Sequence, residues 1–404
     1  MGAGVAGVPM RELGLVLLVA ASLTYLTTGI VRMAMVKAGR MGEIRERDVH
    51  LVPKPRLGGA AMFTGFVCAV LLAAQLPALT RGFQPLTPEM DAVLAGGFIV
   101  VLVGICDDLW ELDALTKLVG QLVAAIIMVF LGLTWTLIWL PLDGGSTFIL
   151  DPIASTFVTV LFTVTLINAI NFIDGLDGLA AGVGLIGGGA ILLYSLTVLH
   201  DQGGMVSAYP PAIIAAALVG ICAGFLPHNF EPARIFMGDS GAMLIGLLLA
   251  AASTSASGKT SLSLYGVVDI IALLSPLMVV IAVILIPVGD LIVVVIQRLL
   301  RGQSPFSADQ LHIHHRLLSI GHTHRRAVLI IYAWVSLAAF GAVAFSIVPS
   351  QAASIATVVS FIVVVALTAR PIYEGRRERQ PELKILIDSH PQAPPAINES
   401  FKNP

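Results

Sequence analysis

The sequence predicts an all-α polytopic membrane protein with about eleven transmembrane helices. Composition gives the first indication: of 404 residues 57% are hydrophobic and 12% charged, where a soluble domain carries roughly twice that charged share. The second is a mean hydropathy of +0.91, and the third is a succession of bilayer-length apolar runs separated by short polar stretches. The net charge of -2 says little about partners, because in membrane proteins the placement of charge matters more than its sum. No nucleic-acid partner is expected. Cys68, Cys106 and Cys222 all lie in apolar runs and read as small hydrophobes rather than a disulfide framework.

In chain order the runs cover about residues 13–36, 57–80, 92–106, 118–133, 153–173, 179–199, 209–227, 241–256, 266–300, 327–348 and 350–369. The first is too long for a cleaved signal peptide and lacks a basic n-region. Between the fourth and fifth, Thr134 to Leu140 and Ser146 to Leu150 flank Asp143, Gly144 and Gly145. This reads as a short extracytoplasmic β-hairpin, with Trp135 and Trp139 at the membrane interface. The ninth run would be about 50 Å long as one helix, so Pro276 and Pro287-Val288-Gly289 are expected to break it. Residues 1–370 form a single transmembrane catalytic domain in this reading, and 371–404, rich in Pro and charge, a cytoplasmic tail with little packed structure. No internal repeat supports an inverted-repeat transporter.

Lys and Arg placement sets the orientation. With the N-terminus outside, Lys37, Arg40, Arg45, Arg47, Lys54, Arg56, Lys117, Arg234, Arg298, Arg301, Arg316, Arg325, Arg326 and Arg370 fall inside, and Arg11, Arg81 and Lys259 outside. The C-terminus and every motif described below are then cytoplasmic.

The most informative stretch is Asn168 to Gly182, NAINFIDGLDGLAAG. Asn168, Asn171, Asp174 and Asp177 recur at every third position, and residues three apart share a helix face. Gly175 and Gly178 favour a turn there. Such oxygen donors suit Mg²⁺, which keeps several waters and shares its shell with substrate phosphate, whereas no thiolate accompanies them to favour zinc. A polar turn capping two helices is the competing reading. Asp107 and Asp108 close the third run, where an Asp near a helix centre costs about 2.5–3.5 kcal/mol, so a compensating cation is expected unless they are solvated loop acids. Asp239, in FMGDSG, is either a helix cap or a metal ligand. His312, His314, His315 and Arg316, with His322, His324, Arg325 and Arg326 behind, suit diphosphate binding opposite an acidic cluster. They equally suit a solvated basic loop or a histidine metal site. Lys117 and the Lys54–Gly59 loop either meet phosphate or anchor helices at the headgroups.

Taken in order, KPRLGG, Asp107 with Asp108, NAINFIDGLDGLAAG, FMGDSG and HIHH resemble the polyprenyl-phosphate N-acetylhexosamine-1-phosphate transferases. That family is related to the phospho-MurNAc-pentapeptide translocase of peptidoglycan synthesis, and the match spans most of residues 11–370. The resemblance implies ten or eleven spans, an outer hairpin and a bent ninth helix beside a lipid-accessible groove. It implies that Asp239 binds Mg²⁺, with Asn171 beside it and Mn²⁺ as the second candidate ion. Asp107, Asp108, Asp174 and Asp177 are then required for activity, with Lys117 and the phosphate-binding His312, His314 and His315. Asn229 and Phe236 fall with Asp177 around the nucleoside, and Asn168 and Arg316 complete the substrate-binding set.

HIHH looks like the N-acetylglucosamine branch of that family, implying UDP-N-acetylglucosamine as donor, undecaprenyl or decaprenyl phosphate as acceptor, and the plasma (inner) membrane as location. A homodimer is compatible with the resemblance. Other UDP-N-acetylhexosamines remain alternatives, and so do single displacement and a covalent aspartyl intermediate. A CDP-alcohol phosphotransferase would need an Ala-Arg pair where Ala180, Ala181 and Gly182 stand. An ion transporter or channel would place acids at mid-membrane depth on several spans, yet here only Asp269 and Asp290 leave the common face.

Overall fold

Helices form where the apolar runs place them. The computed structural model describes residues 8–39, 54–140, 146–201, 203–204, 206–257, 281, 322–348 and 351–369. Its helices are α1 (Met10–Lys37), α2 (Gly58–Gln75), α3 (Glu89–Trp110), α4 (Ala114–Phe130), α5 (Pro152–Ile173), α6 (Leu179–Asp201), α7 (Tyr209–Asn229), α8 (Gly238–Ser257), α9 (His324–Ile347) and α10 (Gln351–Ala369). Among the described residues nine helices are long and apolar enough to cross a membrane, and α4, with 17 residues, is a shorter apolar helix. The ninth run with its expected break, the loop holding His312, His314, His315 and Arg316, and the tail at 371–404 lie outside the described residues.

Local chemistry starts several of these helices. Asp151 accepts from the Ile153 and Ala154 amides ahead of α5, with Pro152 in its first turn, and Asp113 accepts from the Thr116 amide at 3.1 Å ahead of α4. As expected to within a few residues, Asp107 and Asp108 lie in the last turn of α3 and Lys117 in the first turn of α4. Charged residues remain helical at these ends because each finds a partner across the bundle.

Helix α8 sits at the centre, 94% buried, with α2, α3, α5, α6 and α7 packed around it, while α10 on the outside is only 11% buried. Exposed Leu18, Leu26 and Ile30 on α1 and Ile355, Val358 and Ile362 on α10 make apolar faces of the kind lipid solvates. In lipid, helix association relies on close contact rather than on the hydrophobic effect, which favours small residues at crossings. Gly224 of α7 lies so close to α1 that a Cβ there would strike the Ala21 carbonyl, and one on Gly246 of α8 would strike the α5 backbone at Ile167.

Short connections make consecutive helices antiparallel. The starts of α2, α4, α6 and α8 therefore meet the ends of α3, α5 and α7 at one end of the bundle. At the other end β1 (Leu137–Leu140) pairs antiparallel with β2 (Ser146–Ile149), Leu137 opposite Ile149 and Leu140 opposite Ser146. The hairpin strands are where expected, but Trp135 is not an interfacial anchor. It is buried edge-on against Phe162 of α5, and its indole N–H donates to the Leu137 carbonyl at 2.8 Å.

Gly224→Val is expected to lower the thermal midpoint in detergent, at a cost of about 1–3 kcal/mol for overpacking the α1–α7 crossing. Fluorescence-detected size exclusion after a heating series would measure it.

Candidate active site

Adjacent residues on a helix point about 100° apart, so neighbouring carboxylates cannot share one role. Asp107 turns towards α4. Its Oδ2 accepts from Lys117 Nζ at 3.0 Å and its Oδ1 from the Leu112 amide at 2.8 Å, which also ties down the α3–α4 connection. Asp108 turns towards α8. It accepts from the amide of Asp239 at 2.9 Å, the amide of Ser240 at 3.4 Å and the hydroxyl of Ser240 at 2.8 Å. A carboxylate on the free amides of a helix N-terminus is well placed both for hydrogen bonding and for the helix dipole.

Asp239 is therefore not the cap of its own helix. Asp108 of another helix caps α8, so the Asp239 side chain is free to leave its own helix end. Its Oδ2 accepts from Lys117 Nζ at 2.8 Å, and the Asn171 side chain hydrogen-bonds to it. One ammonium thus bridges Asp107 and Asp239. The close approach of α3 depends on Gly104, where a Cβ would strike Ser240, and on Gly238 in a left-handed conformation (φ 71°), where a Cβ would strike the Asp108 carboxylate.

The turn between α5 and α6 brings the next two acids. Gly175 N–H bonds back to Ile173 O at 2.7 Å, and Gly178 adopts φ 79°. Asp174 is half-buried near the first cluster. Surrounding protein holds its carboxyl well above the usual carboxylate range, and the charges of Asp239, Asp108 and Asp177 push the same way. Asp177 is buried and accepts from the Ala233 amide at 2.8 Å and Lys54 Nζ at 3.4 Å. Lys54 Nζ also stands 5.1 Å from the centroid of the Phe236 ring, a cation–π distance. Asn229 accepts from the Gly178 amide at 3.0 Å and donates to the Ile235 carbonyl at 3.1 Å.

The Lys54–Gly59 segment is fixed by backbone pairing with the stretch before α8. Phe236 N–H donates to Pro55 O at 2.9 Å, Gly58 N–H to Phe236 O at 3.1 Å, and Gly59 N–H to Met237 O at 2.8 Å. A Cβ on Gly58 would meet the Phe225 ring, and one on Gly59 would meet the backbone of Ser240 and Gly241. KPRLGG is therefore a docking element as well as a source of Lys54, a role that neither the phosphate nor the headgroup reading of the sequence included.

The structure thus gathers Asp107, Asp108, Lys117, Asn171, Asp174 and Asp239 on one side, and Asp177, Asn229, Phe236 and Lys54 beside them. Asn168 sits one turn deeper, its amide donating to Gln121 Oε1 at 2.6 Å and Val164 O at 2.8 Å. It ties α5 to α4. Gln121 was not anticipated, nor was Tyr332 of α9, whose hydroxyl donates to the Gly178 carbonyl. Neither residue carries a sequence signal apart from being polar within an apolar run.

Among the described residues no group of three or more His, Cys, Asp and Glu forms a ready cation cage. The donors nevertheless fit a hard cation. Asp107 and Asp239 already converge on the single positive charge of Lys117, and Asp174 adds a carboxyl that burial first, then neighbouring negative charge, raises above the usual range. Mg²⁺ needs only one or two protein carboxylates when substrate phosphates complete its shell.

Carboxylates and lysines gathered at one end of an apolar helix bundle, beside an aromatic face, define a polytopic membrane enzyme suited to anionic substrates. Residues 90–257 match glycosyl transferase family 4. The chain is 55% identical over 337 residues to the decaprenyl-phosphate N-acetylglucosaminephosphotransferase of Mycobacterium tuberculosis, covering 83% of each. It is 51% identical over 367 residues to the protein of that name from Mycolicibacterium smegmatis, covering 91% of this chain and 90% of the relative. With the Mycobacterium leprae protein of the same name identity is 53% over 337 residues, covering 83% of this chain and 84% of the relative. The chain belongs to glycosyl transferase family 4.

Asp108→Ala strips the N-terminus of α8 of its acceptor and is expected to cost about 3 kcal/mol, since it leaves buried donors unpaired. Asp239→Ala, which removes no cap, should lower the thermal midpoint much less. Midpoints of the two purified variants compared with the parent would check this order.

Proposed function

We propose that the protein transfers N-acetylglucosamine-1-phosphate from UDP-N-acetylglucosamine to a polyprenyl phosphate, decaprenyl or undecaprenyl, giving polyprenyl-diphosphate-N-acetylglucosamine and UMP. The observation that carries this reading is identity above 50% with transferases named for that acceptor and sugar, over chains of matching extent. The site's make-up supports it. A lipid phosphate oxygen attacks the sugar-linked phosphorus, a new P–O bond forms, and the bond from that phosphorus to the bridging oxygen breaks as UMP leaves. Attacker and target are both anions, so the main barrier is electrostatic.

Lys117, positioned by Asp107 and Asp239, supplies positive charge where the phosphates would meet. Asp107 faces the same point and would orient the lipid phosphate, which needs no strong base because its second pKa is about 6. Asp108 keeps the α8 N-terminus in place beneath them. Asp239 and Asn171 would hold Mg²⁺, with Mn²⁺ the second candidate, and the bound ion would neutralise charge building on the phosphates. Phe236, Lys54, Asp177 and Asn229 form the half of the site suited to the nucleoside, with an aromatic face for a planar base and polar groups around it. His312, His314, His315 and Arg316 would add donors to the diphosphate.

We further propose that the site faces the cytoplasm of the plasma membrane with the N-terminus outside. The support is the clustering of Lys and Arg at the end of the bundle that carries the acids.

The first test is transfer of labelled sugar phosphate from UDP-N-acetylglucosamine to polyprenyl phosphate by the purified chain, with Mg²⁺ or chelator. Labelled lipid and UMP that appear only with the ion are the expected result; no transfer from folded protein would overturn the reading. Because one phosphoanhydride replaces another, added UMP should return label from lipid to UDP-sugar. Asp239→Asn should raise the Mg²⁺ concentration for half-maximal transfer by about tenfold or more, consistent with loss of one charged ligand worth at least 1.4 kcal/mol, while the thermal midpoint stays near that of the parent.

A further inference from the structure

The turn carrying Asp177 is held from two sides. From within the site Asn229 of α7 accepts from the Gly178 amide at 3.0 Å. From outside it, the hydroxyl of Tyr332 donates to the carbonyl of the same residue. Both polar groups of Gly178 are thereby taken, the amide by α7 and the carbonyl by α9, which shares it with the Gly182 amide of α6 at 2.9 Å.

The α9 contact is built into the helices. Tyr332 is in the third turn of α9, and its ring lies directly on the α6 backbone at Gly182, where any Cβ would overlap the ring and its hydroxyl. A second contact sits two turns nearer the start of α9. There the guanidinium of Arg325 lies 5.3 Å from the centroid of the Phe230 ring, and a Cβ on Gly178 would touch both that ring and the Tyr332 hydroxyl. Gly178 is therefore enclosed by Asn229, Phe230 and Tyr332. Its left-handed conformation (φ 79°) leaves the turn's geometry dependent on these neighbours rather than on its own preference.

We propose that Tyr332 is a positioning residue for the nucleotide half of the site, holding the Gly178 carbonyl so that Asp177 and Asn229 keep the spacing the UDP-sugar requires. This rests on the transfer reaction proposed above. Tyr332 touches neither the carboxylates nor the lysines of the phosphate half, so its influence should fall on one substrate only. Asp177 itself is anchored by Ala233 and Lys54, and without the tyrosine hydroxyl the Gly178 carbonyl keeps its bond from the Gly182 amide, so the turn shifts rather than opens.

The test is steady-state kinetics of the full-length chain and its Tyr332→Phe variant in detergent, with each substrate varied in turn. Tyr332→Phe keeps the ring against Gly182 and removes only the hydroxyl. The expected result is a rise of about tenfold in KM for UDP-N-acetylglucosamine, the size expected for loss of one buried hydrogen bond. A matching loss of UMP inhibition is expected, with KM for polyprenyl phosphate unchanged and the thermal midpoint lowered only slightly, because the Gly178 carbonyl keeps the Gly182 amide. Gly182→Ala, which pushes the same ring away, should reproduce the shift. Unchanged KM for the nucleotide sugar in Tyr332→Phe, or equal changes for both substrates, would overturn the proposal. Absence of transfer by the parent chain, run alongside, would instead overturn the reaction on which it rests.

Discussion

Charge at the edge of a membrane has to be compensated where it stands, and the remainder of the site is arranged around how this chain does so. Lys117 lies between Asp107 and Asp239, and Asp108 lies on the amides of α8. Removing one partner from such a partly buried set costs more than the set contributes as a whole, because the remaining charge is left without compensation. The arrangement therefore acts less as a source of stability than as a constraint on geometry. It requires α3, α4 and α8 to end at the same level and at fixed distances from each other.

Those distances are short enough to explain why glycines punctuate the motifs. Gly59, Gly104 and Gly238 each stand where a Cβ would collide with the start of α8 or with the carboxylate that caps it. Their role is to let backbones meet. Paired strands of chain at Pro55–Gly59 and Phe236–Met237 then lock the first polar segment to the last, bringing Lys54 across to Asp177. A motif at residue 54 and another at residue 177 become one site through hydrogen bonds that are almost entirely between backbone groups. Glycine suits positions 58 and 59 because a Cβ at either would meet Phe225 or the start of α8, while Lys54 reaches Asp177.

Most of the fold was legible in the sequence, because a bilayer excludes every alternative to a helix over a long apolar run. Boundaries were legible to within a few residues. Asp107 and Lys117 read as helix ends from hydropathy, and they lie in the last turn of α3 and the first turn of α4, each a few residues short of the terminus. Within the site, the acids at 107, 108, 174, 177 and 239 stood out because an ionisable group at a membrane edge has few structural uses. The separation of Asp107 from Asp108, with one on a lysine and the other on a helix terminus, needed the third dimension. So did the reading of Asp239, since a cap and a free carboxylate differ only in whether another residue has already taken the amides. Asn168 shows the opposite error: strict spacing placed it with the ligands, but back-bonding to Val164 and a contact with Gln121 turn it to helix packing. Tyr332 had no signal, because its partner is a carbonyl that any residue at that position would present.

The balance of charge explains why an acidic site can serve anionic substrates. Asp107 and Asp239 face a single Lys117, Asp108 lies on the α8 amides, and burial, reinforced by the neighbouring carboxylates, raises the Asp174 carboxyl above the usual range. A diphosphate approaching these carboxylates alone would be repelled. The same groups become favourable once further positive charge lies between them and the phosphates, because each carboxylate then holds a cation that in turn faces an oxygen of the substrate. Lys117 already has this geometry. The half proposed for the nucleoside is built differently, from amides, an aromatic ring and a buried aspartate held by backbone and side-chain hydrogen bonds and by Lys54. In the proposed reaction, binding the base and neutralising the phosphates would fall to adjacent but separately supported groups, one held by α7 and α9, the other by α3, α4 and α8.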